Sequence, residues 1–226
     1  MSKNNSKFLL FAGPTMAGLT TPAALKREGI TALPPVKRGD IEQLVSSEPV
    51  GTMVIVDGQF QQCLSVGHAE IRSALELGWQ VWGLSSMGAI RAYEMREMGV
   101  RGFGSVYKLF CNQVDFRDDE VALLHESGPS YRSLSEPLVH LRLWLKELRS
   151  NGLLKQREEK QVVHSLMNLW FGERTLERAR SMVLELIPRK ELKVYESLAD
   201  FDRFRLKTHD LRLFLGERPF LQGQER

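Results

Sequence analysis

A chain of 226 residues with 42% hydrophobic and 26% charged residues is long enough to bury a sizeable core and is far from the biased compositions of disordered or fibrous chains. Its formal net charge of +3 is small and no basic run interleaves with aromatics, so the electrostatic footprint of a nucleic-acid binder is excluded. The two cysteines, Cys63 and Cys111, form no CxxC pair and have no histidine at ligand spacing; this argues against a disulfide framework or a zinc site and fits a reducing cytoplasm.

The polar start MSKNNSK leads into FLLFAG, too short for a signal core or a membrane span. It reads as a first strand over Phe8 to Gly13, and no membrane partner is expected. Next comes TALPPVKRGDIEQLV, where Pro34 and Pro35 forbid regular structure and Asp40 is placed to cap a helix through Ile41 and Leu44. A second buried strand is expected over Met53 to Gly58 and a third over Val81 to Ser86. Between them Ala69, Ile71, Ala74, Leu75 and Leu77 fill one face of a helix that Gly78 closes. MGAIRAYEMREMG then reads as a helix stopped by Gly99, GVRGFGSVYKLF as an irregular glycine-rich stretch, and RDDEVALLHESG as a short helix from Asp118 or Asp119. From about Ser135 the pattern is helix after helix, broken at Asn151 and Gly152, at Gly172 and at Pro188. These elements predict an α/β fold, a mostly parallel sheet flanked by helices and followed by an all-helical C-terminal region, divided as residues 1–134 and 135–226. Charges crowd the second half in KELRS, KQREEK, RTLERARS and RFRLK, a pattern that serves as a solvated face or as a docking surface for an acidic protein.

The strongest chemical signal is WQVWGLSSMGAIRAYE, residues 79–94, a strand turning into a helix with Ser86 at the turn. A serine there exposes its hydroxyl above the sheet, while helix-start amides near Met87 and Gly88 point into the same space and form an oxyanion site. Gly88 supplies one small residue of the small-x-nucleophile-x-small pattern, and Leu84 stands where the other belongs. The competing role for Ser85 or Ser86 is simply to cap the helix. A serine needs a base: His68, His125 and Lys37 are candidates, the last because a lysine partly desolvated beside Arg38 loses its proton more easily. Asp40, Asp57 and the run Asp118, Asp119, Glu120 are placed to hold magnesium or to cap helices. The FAGPTMAG loop lacks the lysine and glycine spacing of a phosphate-binding loop.

Seven motifs in order carry a resemblance: FAGPT at 11–15, PPVKRGD at 34–40, DGQF at 57–60, H-x-E-I at 68–71, SSMGAIRAYE at 85–94, G-V-x-G-x-G at 99–104 and DDEVALLH at 118–125. Together they resemble the TfuA-like protein family over residues 8 to about 145. Ile90 stands where the family usually has leucine, a swap a core position tolerates, and Ala69 stands where many members carry lysine.

The resemblance implies an accessory protein of YcaO enzymes, which activate a peptide backbone amide with ATP so that sulfide replaces its oxygen. It implies hydrolysis of the C-terminal thiocarboxylate of a ThiS-type sulfur carrier protein and help for YcaO in engaging its peptide. No cofactor and no metal are expected, and the location implied is cytoplasmic. The family's hydrolase-like Ser-Lys pair maps to Ser86 and Lys37, with Met87, Gly88, Arg38, Arg91, Asp57 and His68 as oxyanion and substrate-binding residues. The rivals are a non-catalytic adaptor bridging YcaO, carrier and peptide, and a metal-dependent hydrolase centred on Asp118 and Asp119.

Overall fold

The computed structural model describes residues 7–59, 63–113, 116–128 and 130–221; Phe60 of the DGQF motif and the polar first six residues lie outside them. Two compact units divide the chain, Met1–Phe116 with Lys207–Arg226, and Arg117–Leu206.

In the first unit β1 (Lys7–Phe11), β2 (Ile30–Leu33), β3 (Gly51–Ile55), β4 (Gln80–Leu84) and β5 (Arg101–Phe103) form one all-parallel sheet in the order β2-β1-β3-β4-β5. The expected α/β architecture is present, and the three strongest apolar runs are its three central strands. Alternate side chains of these strands enter two different cores, the mark of a sheet covered on both faces. Leu9, Phe11, Met53, Ile55 and Val81 meet α2 (Asp40–Ser47), α3 (His68–Glu76) and α4 (Met87–Glu94) through Ile41, Ile71, Ala74 and Ala92. Phe8, Leu10, Val54, Trp82 and Leu84 meet Leu25 of α1 (Pro22–Arg27) and Leu211 and Phe214 of the last helix, α10 (Leu206–Glu217).

Three local expectations change. Ile30–Leu33 is a strand although Pro34 and Pro35 follow at once, because a four-residue edge strand with partly exposed side chains needs little apolar patterning. The glycine-rich stretch is regular: it forms β5 and then α5 (Gly104–Asn112), with Gly104 at φ +90° turning one into the other. RDDEVALLHESG makes only one helical turn, Asp118–Glu120, because Asp119 and Glu120 turn their carboxylates to arginines instead.

The division of the chain also differs from a break near residue 134. The helical stretch is an insertion, and the chain returns as α10 to cover the second face of the sheet. The physical reason is coverage, since α1 buries only Leu25, too little for five large strand side chains. Phe214 fills the gap, with its ring 5.5 Å from that of Trp82 and 5.2 Å from that of Phe103. Phe214→Ala is expected to cost about 3–5 kcal/mol, measured as a lower urea midpoint.

The second unit contains α6 (Leu138–Ser150), α7 (Gln156–Met167), α8 (Leu176–Leu186) and α9 (Glu191–Leu198) around Trp144, Leu148, Val162, Leu166, Val183 and Phe204. Buried Arg174 ties its loops together by donating to the carbonyls of Leu166 and Asp119 at 3.0 and 2.8 Å and to the Asp119 carboxylate. Glu136 is buried between His140 at 3.1 Å and Arg205 at 2.7 Å. Burial alone would push its carboxyl up, but the His140 hydrogen bond and the charges of His140 and Arg205 outweigh it and hold it below the usual 4.5. The folded carboxyl therefore binds its proton less tightly than the unfolded one. Its stabilising contribution is complete above about pH 4.5 and is lost as pH falls through the lower folded value. Glu136→Gln should flatten the fall in stability below that pH, read from urea unfolding in acid.

Candidate functional site

In an open parallel sheet ligands collect at the carboxyl edge where the strand order reverses, which for β2-β1-β3-β4-β5 lies between β1 and β3. Asp57 stands at this point, two residues beyond β3 and buried. Its Oδ2 accepts the backbone N–H groups of Gly13 and Thr15 at 2.8 and 3.0 Å, and its Oδ1 accepts the Thr15 hydroxyl at 2.6 Å. The FAGPT loop is thus wrapped round the Asp57 carboxylate.

At the end of neighbouring β4 the chain reverses sharply. Ser85 has φ +65°, and the Ser86 N–H donates to the Leu84 carbonyl at 2.7 Å, closing a γ-turn. A β-carbon in this region is strained by about 1–3 kcal/mol, a cost that clusters at functional turns. Two glycines make the turn possible: a Cβ at Gly83 would overlap the Gly88 carbonyl, and one at Gly88 would overlap the Ile55 carbonyl. The small residue that the turn needs before the serines is therefore Gly83, one position earlier than Leu84.

Neither serine caps α4. Ser85 is fully buried and donates its hydroxyl to the Lys207 carbonyl at 2.8 Å. Ser86 is the residue before the helix, yet its side chain makes no capping bond and, among the described residues, no hydrogen bond at all. Of the two expected oxyanion donors, Gly88 gives its N–H to the Val56 carbonyl at 3.2 Å. Met87, at the first position of the helix, has an N–H with no intrahelical partner available.

The expected cationic residues gather around the loop between β3 and α3. The Arg38 Nε donates to the Ser65 carbonyl at 3.2 Å and the Arg91 Nε to the Val66 carbonyl at 3.0 Å. His68 Nε2 and Arg91 Nη1 share one oxygen of Glu94, at 2.8 and 2.6 Å. Lys37 is half exposed and pairs with Asp40 at 2.6 Å, and the hydrogen bond and charge of Asp40 raise its pKa above the ordinary lysine value. Asp40 also accepts the Lys37 N–H, so it braces this loop, and Gly39 is the residue that precedes α2.

A different lysine enters the site. Lys207, in the first turn of α10, is buried with its Nζ 4.0 Å from Asp57 Oδ1, and its carbonyl takes the Ser85 hydroxyl. Thr208 beside it donates to the Thr15 carbonyl at 3.1 Å. Asp210, one turn on, is fully buried and accepts the N–H groups of Ser105 and Val106 at 2.8 and 2.9 Å. Its carboxyl is pushed up by burial against the downward pull of those amides. Sequence reading missed Lys207 because it sits in a charged helical run, RFRLK, that reads as solvent-facing. The available signal was the alternation after it, Leu211 and Phe214, which marks a helix with an apolar face.

Two carboxylates of the acidic run are committed to guanidinium groups: Asp119 pairs with Arg117 and Arg174, and Glu120 lies buried under a two-pronged contact from Arg142. Among the described residues no three His, Cys, Asp or Glu side chains cluster as a metal site, and no helix is long and apolar enough to cross a membrane.

Fold and turn together define an α/β protein with a serine-bearing strand-to-helix turn on the strand next to its topological switch. A family model described as TfuA-like protein matches residues 57–175, just over half of the chain, and the chain belongs to that family. The matched segment contains Asp57, His68, Ser86, Met87, Gly88 and Arg91; Lys37, Arg38 and Lys207 lie outside it. No curated protein matches the chain.

Because the Gly88 α-carbon is pressed against β3, Gly88→Ala should lower stability by at least about 2–3 kcal/mol, seen as a fall in the thermal midpoint.

Proposed function

We propose that this protein is a YcaO accessory protein that hydrolyses the C-terminal thiocarboxylate of a ThiS-type sulfur carrier, releasing sulfide for peptide backbone thioamidation and helping YcaO engage its peptide. Membership of the TfuA-like family supports the setting. One observation carries the chemistry: the Ser86 hydroxyl, held at a strained turn, is spent on neither a cap nor any other described hydrogen bond. The free thiols Cys63 and Cys111 accord with a cytoplasmic location, and the mechanism uses no cofactor or metal.

In this mechanism the Lys207 ammonium first yields a proton to solvent; the Ser86 oxygen then attacks the thiocarboxylate carbon and gives its proton to the resulting Lys207 amine, while the Met87 N–H meets the developing oxyanion. The tetrahedral intermediate collapses with cleavage of the C–S bond, the lysine returns the proton to the departing sulfur, and an acyl-Ser86 ester remains. Water, deprotonated by the same lysine, hydrolyses that ester to the carrier carboxylate and restores the serine. The sum is thiocarboxylate plus water giving carboxylate plus hydrogen sulfide. Arg38, His68 and Arg91 hold the anionic tail, and Lys37 steers it from the surface. Asp57 keeps the Gly13–Thr15 loop and the Lys207 ammonium in place.

The test is sulfide release from purified carrier thiocarboxylate. Ser86→Ala and Lys207→Ala should each lower kcat about a hundredfold or more. Lys37→Ala separates the two lysines: kcat is retained if Lys207 is the base, and falls as far as in Lys207→Ala if Lys37 is. Undiminished release by Ser86→Ala, with YcaO binding intact, would leave the non-catalytic adaptor as the correct reading.

A further inference from the structure

We infer that Asp210 is a positioning residue for the site, fastening the first turn of α10 to the start of α5 so that Lys207 is held against Asp57 and Ser85. The inference rests on the hydrolytic role proposed for Lys207. Among the described contacts of this turn, Asp210 makes the ones that reach α5. Lys207 is tied to Asp57 and Ser85, and Thr208 to the loop at Thr15. Asp210, three residues after Lys207 and hence on the same side of the helix, is anchored instead on the Ser105 and Val106 amides of α5. The anchor is closely fitted, since a Cβ at Gly104 would overlap the Asp210 carboxylate. Gly104, at φ +90°, therefore leaves open the place that the carboxylate occupies.

The chemistry of the contact requires an aspartate. Two backbone N–H groups converge on two oxygens of one buried carboxylate, and both bonds need an acceptor. Asparagine offers one oxygen and turns an NH2 group towards the second N–H, donor against donor. Alanine offers neither, and glutamate is too long for the space over Gly104. A merely structural Asp210 would affect only how much protein is folded. A positioning Asp210 acts on turnover through Lys207, and that difference is measurable.

Asp210→Asn in the full chain, assayed well below its thermal midpoint, should lower kcat for sulfide release roughly tenfold to a hundredfold with KM unchanged. In a Lys207→Ala background the same substitution should cost no further kcat, because the group it positions is gone. Ser105→Pro, which removes one donor at a first-turn position where proline is tolerated, should reproduce the loss if Asp210→Asn does not fold. Equal losses of kcat with and without Lys207, or a lowered thermal midpoint with unchanged kcat, would overturn the role of Asp210. Wild-type protein without sulfide release would instead overturn the proposed hydrolysis, and the crystal structure of Asp210→Asn then decides this inference separately. Lys207 Nζ displaced from its place 4.0 Å from Asp57 supports it, and Nζ unmoved refutes it.

Discussion

A buried carboxylate at the switch point of the sheet organises this protein. Asp57 takes three hydrogen bonds from the FAGPT loop and has the Lys207 ammonium at the edge of ion-pair distance. An unpaired charge in such a place would cost several kcal/mol, so the loop and the last helix are required partners rather than decoration. The loop cannot open without orphaning the carboxylate, and α10 cannot leave without burying an uncompensated charge. The β4 turn is bound into the same arrangement, because Ser85 gives its hydroxyl to the carbonyl of the lysine that faces Asp57. Three strand ends and one helix are thus joined around two opposite charges.

That constraint gives the two adjacent serines different work. Ser85 occupies the strained centre of the γ-turn and is consumed by a structural bond, which holds the turn shut. Ser86, also buried, has no side-chain hydrogen bond among the described residues. Glycine contacts beneath the turn matter for the same reason: β4 and α4 touch through Gly83 and Gly88, and α4 presses on β3 at Ile55. The helix start is set close to the sheet, with the Gly88 amide spent and the Met87 amide without a partner among the described residues.

Much of this was legible from residues alone. Runs such as FLLF and MVIV are apolar on both strand faces and can hardly be anything other than central parallel strands, and Gly78 and Gly99 end their helical segments where a left-handed residue is needed. The strained turn could be located because strand, two serines and a glycine follow one another within a few residues. The remainder was hidden for identifiable reasons. β2 is an edge strand whose apolar pattern is too short to stand out, and β5 is disguised by glycines that serve close packing, Gly102 lying under the Tyr107 ring. Local sequence does not tell Lys37 from Lys207, because they differ only in what surrounds them: Asp40 and solvent for one, Asp57 and a closed interior for the other. The return of α10 to the sheet is a long-range fact, and amphipathic periodicity says that a helix has an apolar face without saying which surface receives it.

The insertion of a helical unit between α5 and α10 has a consequence for the order in which the protein can be made. Phe8 of β1 and Phe220 lie with ring centroids 4.2 Å apart, so a strand that leaves the ribosome early is covered by a segment that leaves it after the whole inserted unit. Domains tend to fold as units while synthesis proceeds, and contacts between distant parts of a chain form slowly. The inserted helices can close on their own core while one face of the sheet still waits, with Phe8, Leu10 and Trp82 uncovered and the Asp57 carboxylate unmatched. A nascent chain at that stage holds every residue of the serine turn yet lacks the lysine that faces Asp57, so this corner of the sheet is completed only when α10 arrives.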